Sequence, residues 1–215
     1  MQKPKYKLII FDFDGTLADS FPWFISIYDE LAQRFKLPRL DKAQLEQFRQ
    51  VDMRRIFKDK KIPLWKVVQI GNYLKKMMTS QIEHIKLAEG IQTVIDTLAP
   101  LEVKLAIVSS NKEENVRKVL GEKNAALFKQ YECGVSIYGK ASKFKKILKA
   151  SGVPFDQVLS IGDEVRDLKS SHKVGIAFGA ATWGYTDLET LRAFNPDELF
   201  IEPLQILDAI DVSPA

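Results

Sequence analysis

Two aspartates directly after a short apolar run are the residues of this sequence most suited to chemistry. The stretch "LIIFDFDGTLAD" places Asp12 and Asp14 two positions apart, followed by Gly15 and Thr16. Two carboxylates at such close range repel each other, so a nearby positive charge is needed to offset them. A divalent cation supplies that charge, and the stretch therefore predicts a metal site.

Three further clusters of polar residues follow apolar runs later in the chain. In open α/β sheets, the residues at the carboxyl ends of the strands line the ligand crevice. Such an arrangement would bring together carboxylates for a metal, a hydroxyl and amides for an anion, and a lysine for charge. The three clusters are Ser109/Ser110/Asn111, Gly139/Lys140, and Gly162/Asp163/Glu164 with Asp167.

The elements that must position these residues alternate along the chain. Short runs rich in Val, Ile and Leu indicate buried parallel strands, and amphipathic stretches between them indicate crossover helices. The pattern predicts an α/β, Rossmann-like three-layer core with a parallel sheet. The predicted strands are Lys7–Phe11, Val103–Val108, Gly134–Ile137, Val158–Ile161, Gly175–Phe178 and Glu198–Ile201. The predicted helices are Gly90–Leu98, Glu113–Gly121, Ser142–Ser151, Glu164–Lys173 and Leu188–Phe194.

The region from Ser20 to Ile85 interrupts this alternation and predicts an all-helical cap inserted after the first strand. We place the cap at residues 18–86 and the α/β core at residues 1–17 and 87–215. An insertion there lies at the mouth of the sheet, where ligands bind, so it is a candidate lid. The predicted first helix carries an apolar stripe at helical spacing, made of Phe21, Phe24, Tyr28, Leu31 and Phe35.

Two more helices are predicted in the cap. The second begins at Asp41, with Gln44 completing a capping box and an apolar face of Leu45, Phe48 and Ile56. The third has Pro63 in its first turn and a stripe of Leu64, Val67, Val68, Leu74, Met78, Ile82 and Ile85.

Composition excludes several classes of protein. The 215 residues are 46% hydrophobic and 28% charged, with a formal net charge of +4 and dispersed lysines. Nucleic-acid binding usually requires a basic stripe within a recognisable module, and the sequence shows neither. No apolar stretch approaches the length needed to cross a bilayer. Cys133 is the single cysteine, which excludes an intrachain disulfide and suits a reducing compartment. No signal peptide is recognised, so we expect a cytoplasmic protein.

The clusters together resemble the haloacid dehalogenase-like hydrolase superfamily, in its phosphoglycolate-phosphatase-like branch. The stretch "FDFDGTL" is similar to the DxDGT signature of the family, and "LAIVSSN" to its second motif. The lysine of "YGK" corresponds to the third motif, and "IGDEVRD" to the fourth, GDxxxD. The four motifs occur in the family order, and the resemblance covers nearly the whole chain.

The resemblance implies a Mg²⁺-dependent phosphatase that forms an aspartyl-phosphate. Asp12 would be the nucleophile, Asp14 the acid/base, and Lys140 the residue that stabilises the developing charge. Mg²⁺ would be held by the Asp12 and Asp163 carboxylates and by the Asp14 backbone carbonyl. Gly15, Ser109, Ser110 and Lys140 would bind the phosphoryl group, with Thr16, Asn111, Glu164 and Asp167 in supporting roles.

Several alternatives stay open at this point. Lys143 competes with Lys140 as the active-site lysine, although Lys140 is nearer the predicted strand end. Arg54, Arg55 and Lys58 of the cap could meet a substrate anion, but solvated helix charges are the simpler interpretation. Trp183 and Tyr185 could border the crevice or only pack against it.

Function also has alternatives. A small phosphorylated metabolite is the expected partner, with phosphoglycolate as the first candidate. No nucleic acid and no membrane are expected as partners, and the protein is expected to be a monomer or homodimer. A phosphomutase of the β-phosphoglucomutase type would carry the same motifs and pass its phosphate to a sugar. A non-catalytic phosphate-binding regulatory protein could also retain the fold.

Overall fold

The protein is described by a computed structural model, which covers residues 4–47, 62–134 and 139–210. Within these residues the sheet has six parallel strands in the order β3-β2-β1-β4-β5-β6. They are β1 Leu8–Phe11, β2 Lys104–Val108, β3 Phe128–Glu132, β4 Val158–Gly162, β5 Ala177–Ala181 and β6 Glu198–Phe200. The prediction of an α/β fold with a parallel sheet is confirmed.

Nine α-helices connect and flank these strands within the described ranges. In the segment between β1 and β2 lie α1 Phe21–Phe35, α2 Lys42–Glu46, α3 Leu64–Ser80 and α4 Ile91–Leu98. The remaining five are α5 Glu113–Leu127, α6 Lys140–Ser151, α7 Val165–Val174, α8 Leu188–Arg192 and α9 Gln205–Ala209.

The two faces of the central strands explain why their sequences are almost entirely apolar. In β1, Ile9 and Phe11 pack in one cluster with α4, whereas Leu8 and Ile10 pack in another cluster with α6. Side chains alternate across a strand, so a sheet covered on both faces needs apolar residues at every position. This arrangement gives the three layers of the fold.

The third strand differs from its prediction. Gly121 has a φ of +72° and breaks the helical geometry, but α5 continues beyond it to Leu127 and leads into β3. As an edge strand, β3 has the mixed sequence "FKQYE", which gives only a weak apolar signal. The strand predicted at Gly134–Ile137 is not found at Gly134, and residues 135–137 lie outside the described residues.

The start of β5 also differs, by two residues. Gly175 has a φ of +78° and ends α7, with its N–H donated to the His172 carbonyl. Left-handed backbone at a glycine is a common helix end, so the strand begins only at Ala177.

The described part of the segment 18–86 is helical, as predicted for the cap, although its limits as a separate unit stay a prediction. The two segments that connect the cap to the α/β part run next to each other. They are joined by hydrogen bonds from Asp19 N–H to the Lys86 carbonyl and from Ala88 N–H to the Leu17 carbonyl. The predicted capping box of α2 is confirmed, since Gln44 N–H donates to the Asp41 carboxylate at 2.8 Å. Phe48, Ile56, Arg54, Arg55 and Lys58 lie outside the described residues.

The apolar stripe predicted for the third cap helix is wrong at both ends. The helix ends at Ser80, so Ile82 and Ile85 lie beyond it. Leu64 and Val68 are 58% and 51% exposed, whereas Ile70 and Met77 are buried together with Val67 and Met78. The buried face is therefore rotated from the predicted one, and Leu64 and Val68 lie outside it.

We predict that Asp197→Ala lowers the free energy of unfolding by about 1–3 kcal/mol, because it leaves the buried Phe178 N–H unsatisfied. The Asp197 carboxylate accepts hydrogen bonds from Phe178 N and His172 Nε2, both at 2.9 Å. Burial opposes ionisation, but these two donors outweigh it and lower the pKa of Asp197. The stabilisation is thus complete at neutral pH and is lost as pH falls through the lowered pKa.

Urea denaturation of the two proteins measures the difference, with the exposed Asp208→Ala as control. Equal stabilities of the parent and Asp197→Ala would show that the hydrogen bond from Phe178 N–H to this carboxylate does not stabilise the fold.

Candidate active site

The site lies where the strand order reverses, between β1 and β4. Asp12 follows β1 and remains in the sheet, because its N–H donates to the Ile161 carbonyl at 2.8 Å. Asp163 follows β4. Carboxylate oxygens of Asp12, Asp163 and Asp167 all lie within 4.8 Å of one another, and all three residues are buried. The structure therefore brings together carboxylates from two separate sequence motifs.

Lys140 is the cation within this acidic cluster. It is the first residue of α6, and its Nζ lies 2.6 Å from Asp12 Oδ2 and 2.6 Å from Asp167 Oδ1. Lys143, its competitor, instead pairs with Glu132 at 2.9 Å. The geometry favours Lys140 as the lysine of the site.

The electrostatics of the cluster reflect burial and repulsion. Burial raises the pKa of Asp12 to about 7 despite the opposing charge of Lys140. Burial, with Glu164 and Asp12 adding to it, raises the pKa of Asp163 well above its ordinary value. Burial acts in the same direction on Asp167, but Lys140 and Arg166 outweigh it and lower the pKa of that group.

These residues fit a divalent cation. Lys140 contributes one positive charge to the cluster of three carboxylates, and the charge of Arg166, near Asp167, is already paired with Glu164. Ionising all three carboxylates therefore requires further positive charge. Oδ2 of Asp167 is buried and has no hydrogen-bond partner within the described chain. Hard carboxylate oxygens are the ligands that Mg²⁺ prefers. The cluster contains Asp167 in addition to the predicted ligands Asp12 and Asp163.

Asp14 is directed away from this cluster, toward the end of β2. Both of its carboxylate oxygens accept from Asn111 Nδ2 at 3.2 Å. Burial raises the pKa of Asp14 to about 6, against the opposing effect of Asn111. The Ser109 Oγ accepts the Asn111 N–H at 3.0 Å, and Ser110 is half-buried beside it. Asp12 and Asp14, although two residues apart, thus have different partners: Asp12 pairs with Lys140, whereas Asp14 accepts hydrogen bonds from Asn111.

The loop after β5 holds Asp163 in place. Asp163 Oδ1 accepts a hydrogen bond from the Thr16 hydroxyl at 3.0 Å, and Asp163 Oδ2 accepts one from the Tyr185 N–H at 2.7 Å. Trp183 Nε1 donates to the Thr16 carbonyl at 3.0 Å. Both aromatic residues therefore pack against the site and also fix its backbone.

Two glycines make this close packing possible. Gly15 has a φ of +76°, and a Cβ there would lie 2.3 Å from Asp163 Oδ2. A Cβ at Gly184 would lie 2.3 Å from the same oxygen and 2.4 Å from the Gly15 carbonyl. Sequence reasoning missed Gly184, although its place between two aromatic residues after a strand was a usable signal.

Sequence reasoning also missed Arg166, an arginine inside the acidic motif. Its side chain is only 16% exposed and pairs with Glu164, while its Nε lies 4.0 Å from Asp167. Burial alone would lower the pKa of Arg166, but Glu164 and Asp167 outweigh it and raise the pKa. Glu164, for which only a supporting role was predicted, is therefore the ion-pair partner of a cation that acts on Asp12 and Asp14.

Comparison with known proteins agrees with this geometry. The sequence model of a family described as haloacid dehalogenase-like hydrolases matches residues 9–181, most of the chain. The chain belongs to the haloacid dehalogenase-like hydrolase family. A phosphoglycolate phosphatase from Synechococcus elongatus is 29% identical over 94% of this chain and 96% of its own length. The predictions of the family, its phosphoglycolate-phosphatase-like branch and a phosphatase-type hydrolase are confirmed.

Solved structures show the same fold. A haloacid dehalogenase-like hydrolase from Streptococcus pneumoniae has a TM-score of 0.77 at 20% identity, covering 95% of this chain and 98% of its own. A predicted phosphatase from Clostridium acetobutylicum has a TM-score of 0.79 at 18% identity, covering 95% of this chain and 98% of its own.

Within the described residues, no helix has the length and apolar character that a membrane span requires.

We predict that Gly184→Ala destabilises the protein by about 1–3 kcal/mol, the usual cost of overpacking, because the new methyl would collide with Asp163. It should also weaken Mg²⁺ binding. Gly71→Ala is the matched control, since a Cβ at that helical position meets no atom within 4 Å. It should raise stability by about 0.5–1 kcal/mol. Thermal unfolding with and without Mg²⁺ measures both effects, and a stable, metal-binding Gly184→Ala would contradict the packing described.

We also predict that Mg²⁺ affinity depends on pH. Mg²⁺ binds carboxylates without their protons, so the metal must displace a proton from Asp12 below its pKa of about 7. One pH unit below that value, proton competition at Asp12 alone should weaken the affinity about tenfold, and the raised pKa of Asp163 should weaken it further. Isothermal titration calorimetry measures the affinity, with Asp163→Asn as a variant that should bind weakly throughout. An affinity independent of pH would exclude Asp12 as a ligand.

Proposed function

We propose that the protein is a Mg²⁺-dependent phosphatase that hydrolyses small phosphate monoesters through an aspartyl-phosphate on Asp12. The observation that carries the proposal is the pairing of a buried carboxylate with Lys140 at 2.6 Å, beside Asp163 at the switch point of the sheet. A carboxylate held by a lysine next to a metal site is suited to attack an anionic phosphoryl group.

The first step forms a bond between an Asp12 carboxylate oxygen and phosphorus and breaks the bond from phosphorus to the leaving oxygen. Asp14 gives its proton to that leaving oxygen, which departs as an alcohol. A pKa of about 6 suits this exchange, because the group can both hold and release a proton near neutral pH.

In the second step, the Asp14 carboxylate takes a proton from water, and the water oxygen attacks phosphorus. Phosphate leaves and Asp12 is restored. Lys140 stabilises the Asp12 carboxylate and the charge on the phosphoryl oxygens, and the Ser109 hydroxyl binds one of those oxygens. Mg²⁺, when held by Asp12, Asp163 and the Asp14 carbonyl, would neutralise negative charge on the phosphoryl group.

Phosphoglycolate is the first substrate to test. The support for it is the phosphoglycolate phosphatase activity named for the relative that matches nearly the whole chain. Specificity would come from the cap, which closes over the substrate and excludes water. A panel of phosphorylated metabolites, assayed for free phosphate, tests the proposal, and hexose-phosphate isomerisation without phosphate release would favour the phosphomutase instead.

We predict that Asp12→Asn and Asp14→Asn both lose phosphatase activity, for different reasons. Asp12→Asn removes the nucleophile and should leave no measurable turnover. Asp14→Asn removes only proton transfer and should lower kcat by roughly 10²–10⁴-fold for a poor leaving group. An aryl phosphate, whose leaving oxygen needs little protonation, should be affected much less by Asp14→Asn.

Steady-state phosphate release measures these effects, and Asp187→Asn, a helix cap outside the site, serves as control. Turnover by Asp12→Asn at the parental rate would remove this residue from the chemistry.

A further inference from the structure

The inner face of α3 contacts the residue that orients Asp14. Asn111 Nδ2, which donates to both Asp14 oxygens, also lies 2.7 Å from Met78 Sδ. One residue further along α3, the Thr79 hydroxyl accepts from Asn115 Nδ2 at 3.1 Å. The last turns of this cap helix therefore lie one side chain away from the proposed acid/base.

Lys75 belongs to the same face of α3. It precedes Met78 by three residues and Thr79 by four, the two spacings that place helical side chains next to each other. Lys75 is half-buried, and no carboxylate of the described chain lies within ion-pair distance of its ammonium group. A half-buried lysine that pairs with no carboxylate has an ammonium group available to an anionic ligand.

The charges around Lys75 are those of the active site. Burial lowers the pKa of Lys75, Asp14 acts to raise it, and the positive charges of Arg166 and Lys112 act to lower it further. The charges that act on Lys75 thus include the proposed acid/base and the arginine of the fourth motif.

Space is available beside Lys75. Gly71 lies one turn earlier on the same face, and a Cβ built there meets no heavy atom within 4 Å. A Cβ built at Gly15 or at Gly184, next to Asp163, would instead collide with the Asp163 side chain. The space next to Gly71, one helical turn from Lys75, is thus free of other heavy atoms of the described chain.

We propose that Lys75 recognises a carboxylate on the leaving group of the substrate. The inference rests on the proposed function, because Asp14 protonates the leaving oxygen and so the rest of the leaving group lies on the cap side. A phosphorylated short hydroxy acid carries its second negative charge there. Lys75 therefore selects such substrates over phosphate monoesters with an uncharged leaving group.

The test compares 2-phosphoglycolate with 2-hydroxyethyl phosphate, which has a hydroxymethyl group in place of the carboxylate. The ratio of kcat/KM for the two compounds should fall about 10–100-fold in Lys75→Ala, the usual value of a hydrogen bond to a charged group. The loss should be mainly in KM, and Lys75→Arg should recover part of it. Lys76→Ala, the exposed neighbour on the same helix, should keep both the activity and the ratio.

A binding measurement separates this inference from the proposed function. In the Asp12→Asn background, 2-phosphoglycolate should bind more tightly than inorganic phosphate, and adding Lys75→Ala should remove that advantage. If the parent hydrolyses no phosphate monoester, the proposed function fails, and this titration still decides the role of Lys75. An unchanged ratio or an unchanged binding advantage would overturn the inference.

Pyrophosphate, whose leaving group is a second phosphate, tests whether Lys75 recognises a phosphoryl group rather than a carboxylate. A larger loss of kcat/KM for pyrophosphate than for 2-phosphoglycolate in Lys75→Ala would show that a second phosphoryl group is recognised, and would overturn the assignment of a carboxylate.

Discussion

The repulsion among three buried carboxylates is the constraint on which the site depends. Asp12, Asp163 and Asp167 lie within 4.8 Å of one another in an environment that opposes charge. Lys140 offsets one of the three at close range. Burial is the main cause that raises the pKa of Asp12 and of Asp163, and repulsion from neighbouring carboxylates adds to it. The same imbalance that makes the apo cluster unfavourable makes it a strong site for a divalent cation and for the chemistry that such a cation supports.

The fold provides this arrangement by placing strand ends side by side. Because β1 and β4 are neighbours in register, Asp12 and Asp163 meet although they are far apart in sequence. The β5 loop then fixes Asp163 through the Tyr185 N–H, which requires the absence of a side chain at Gly184. The cap contributes from the opposite side. Met78 contacts Asn111, which donates to Asp14, and Thr79 accepts a hydrogen bond from Asn115, which in turn donates to Asn111.

Sequence reasoning succeeded where one physical cause dominated. Strands β1 and β4 are buried on both faces, so their apolar runs were clear, and the charged clusters after them were conspicuous for the same reason. It failed at β3, where an edge strand needs few apolar residues, and at Leu64 and Val68, where the buried face of α3 depends on contacts made by the folded chain. Gly184 and Lys75 were missed because their surroundings are set by residues distant in sequence. Arg166 pairs with its sequence neighbour Glu164, but only the fold shows that its side chain is buried beside Asp167.

The most direct test of the account is to find the phosphoryl group on the protein. Enzyme mixed with Mg²⁺ and a phosphate monoester is quenched in acid during turnover, digested and mapped by mass spectrometry. The account predicts one phosphoryl group on the peptide that contains Asp12, and none when Mg²⁺ is omitted. A phosphoryl group on a different residue would contradict the account, as would phosphate release with no modified peptide under conditions that preserve acyl phosphates.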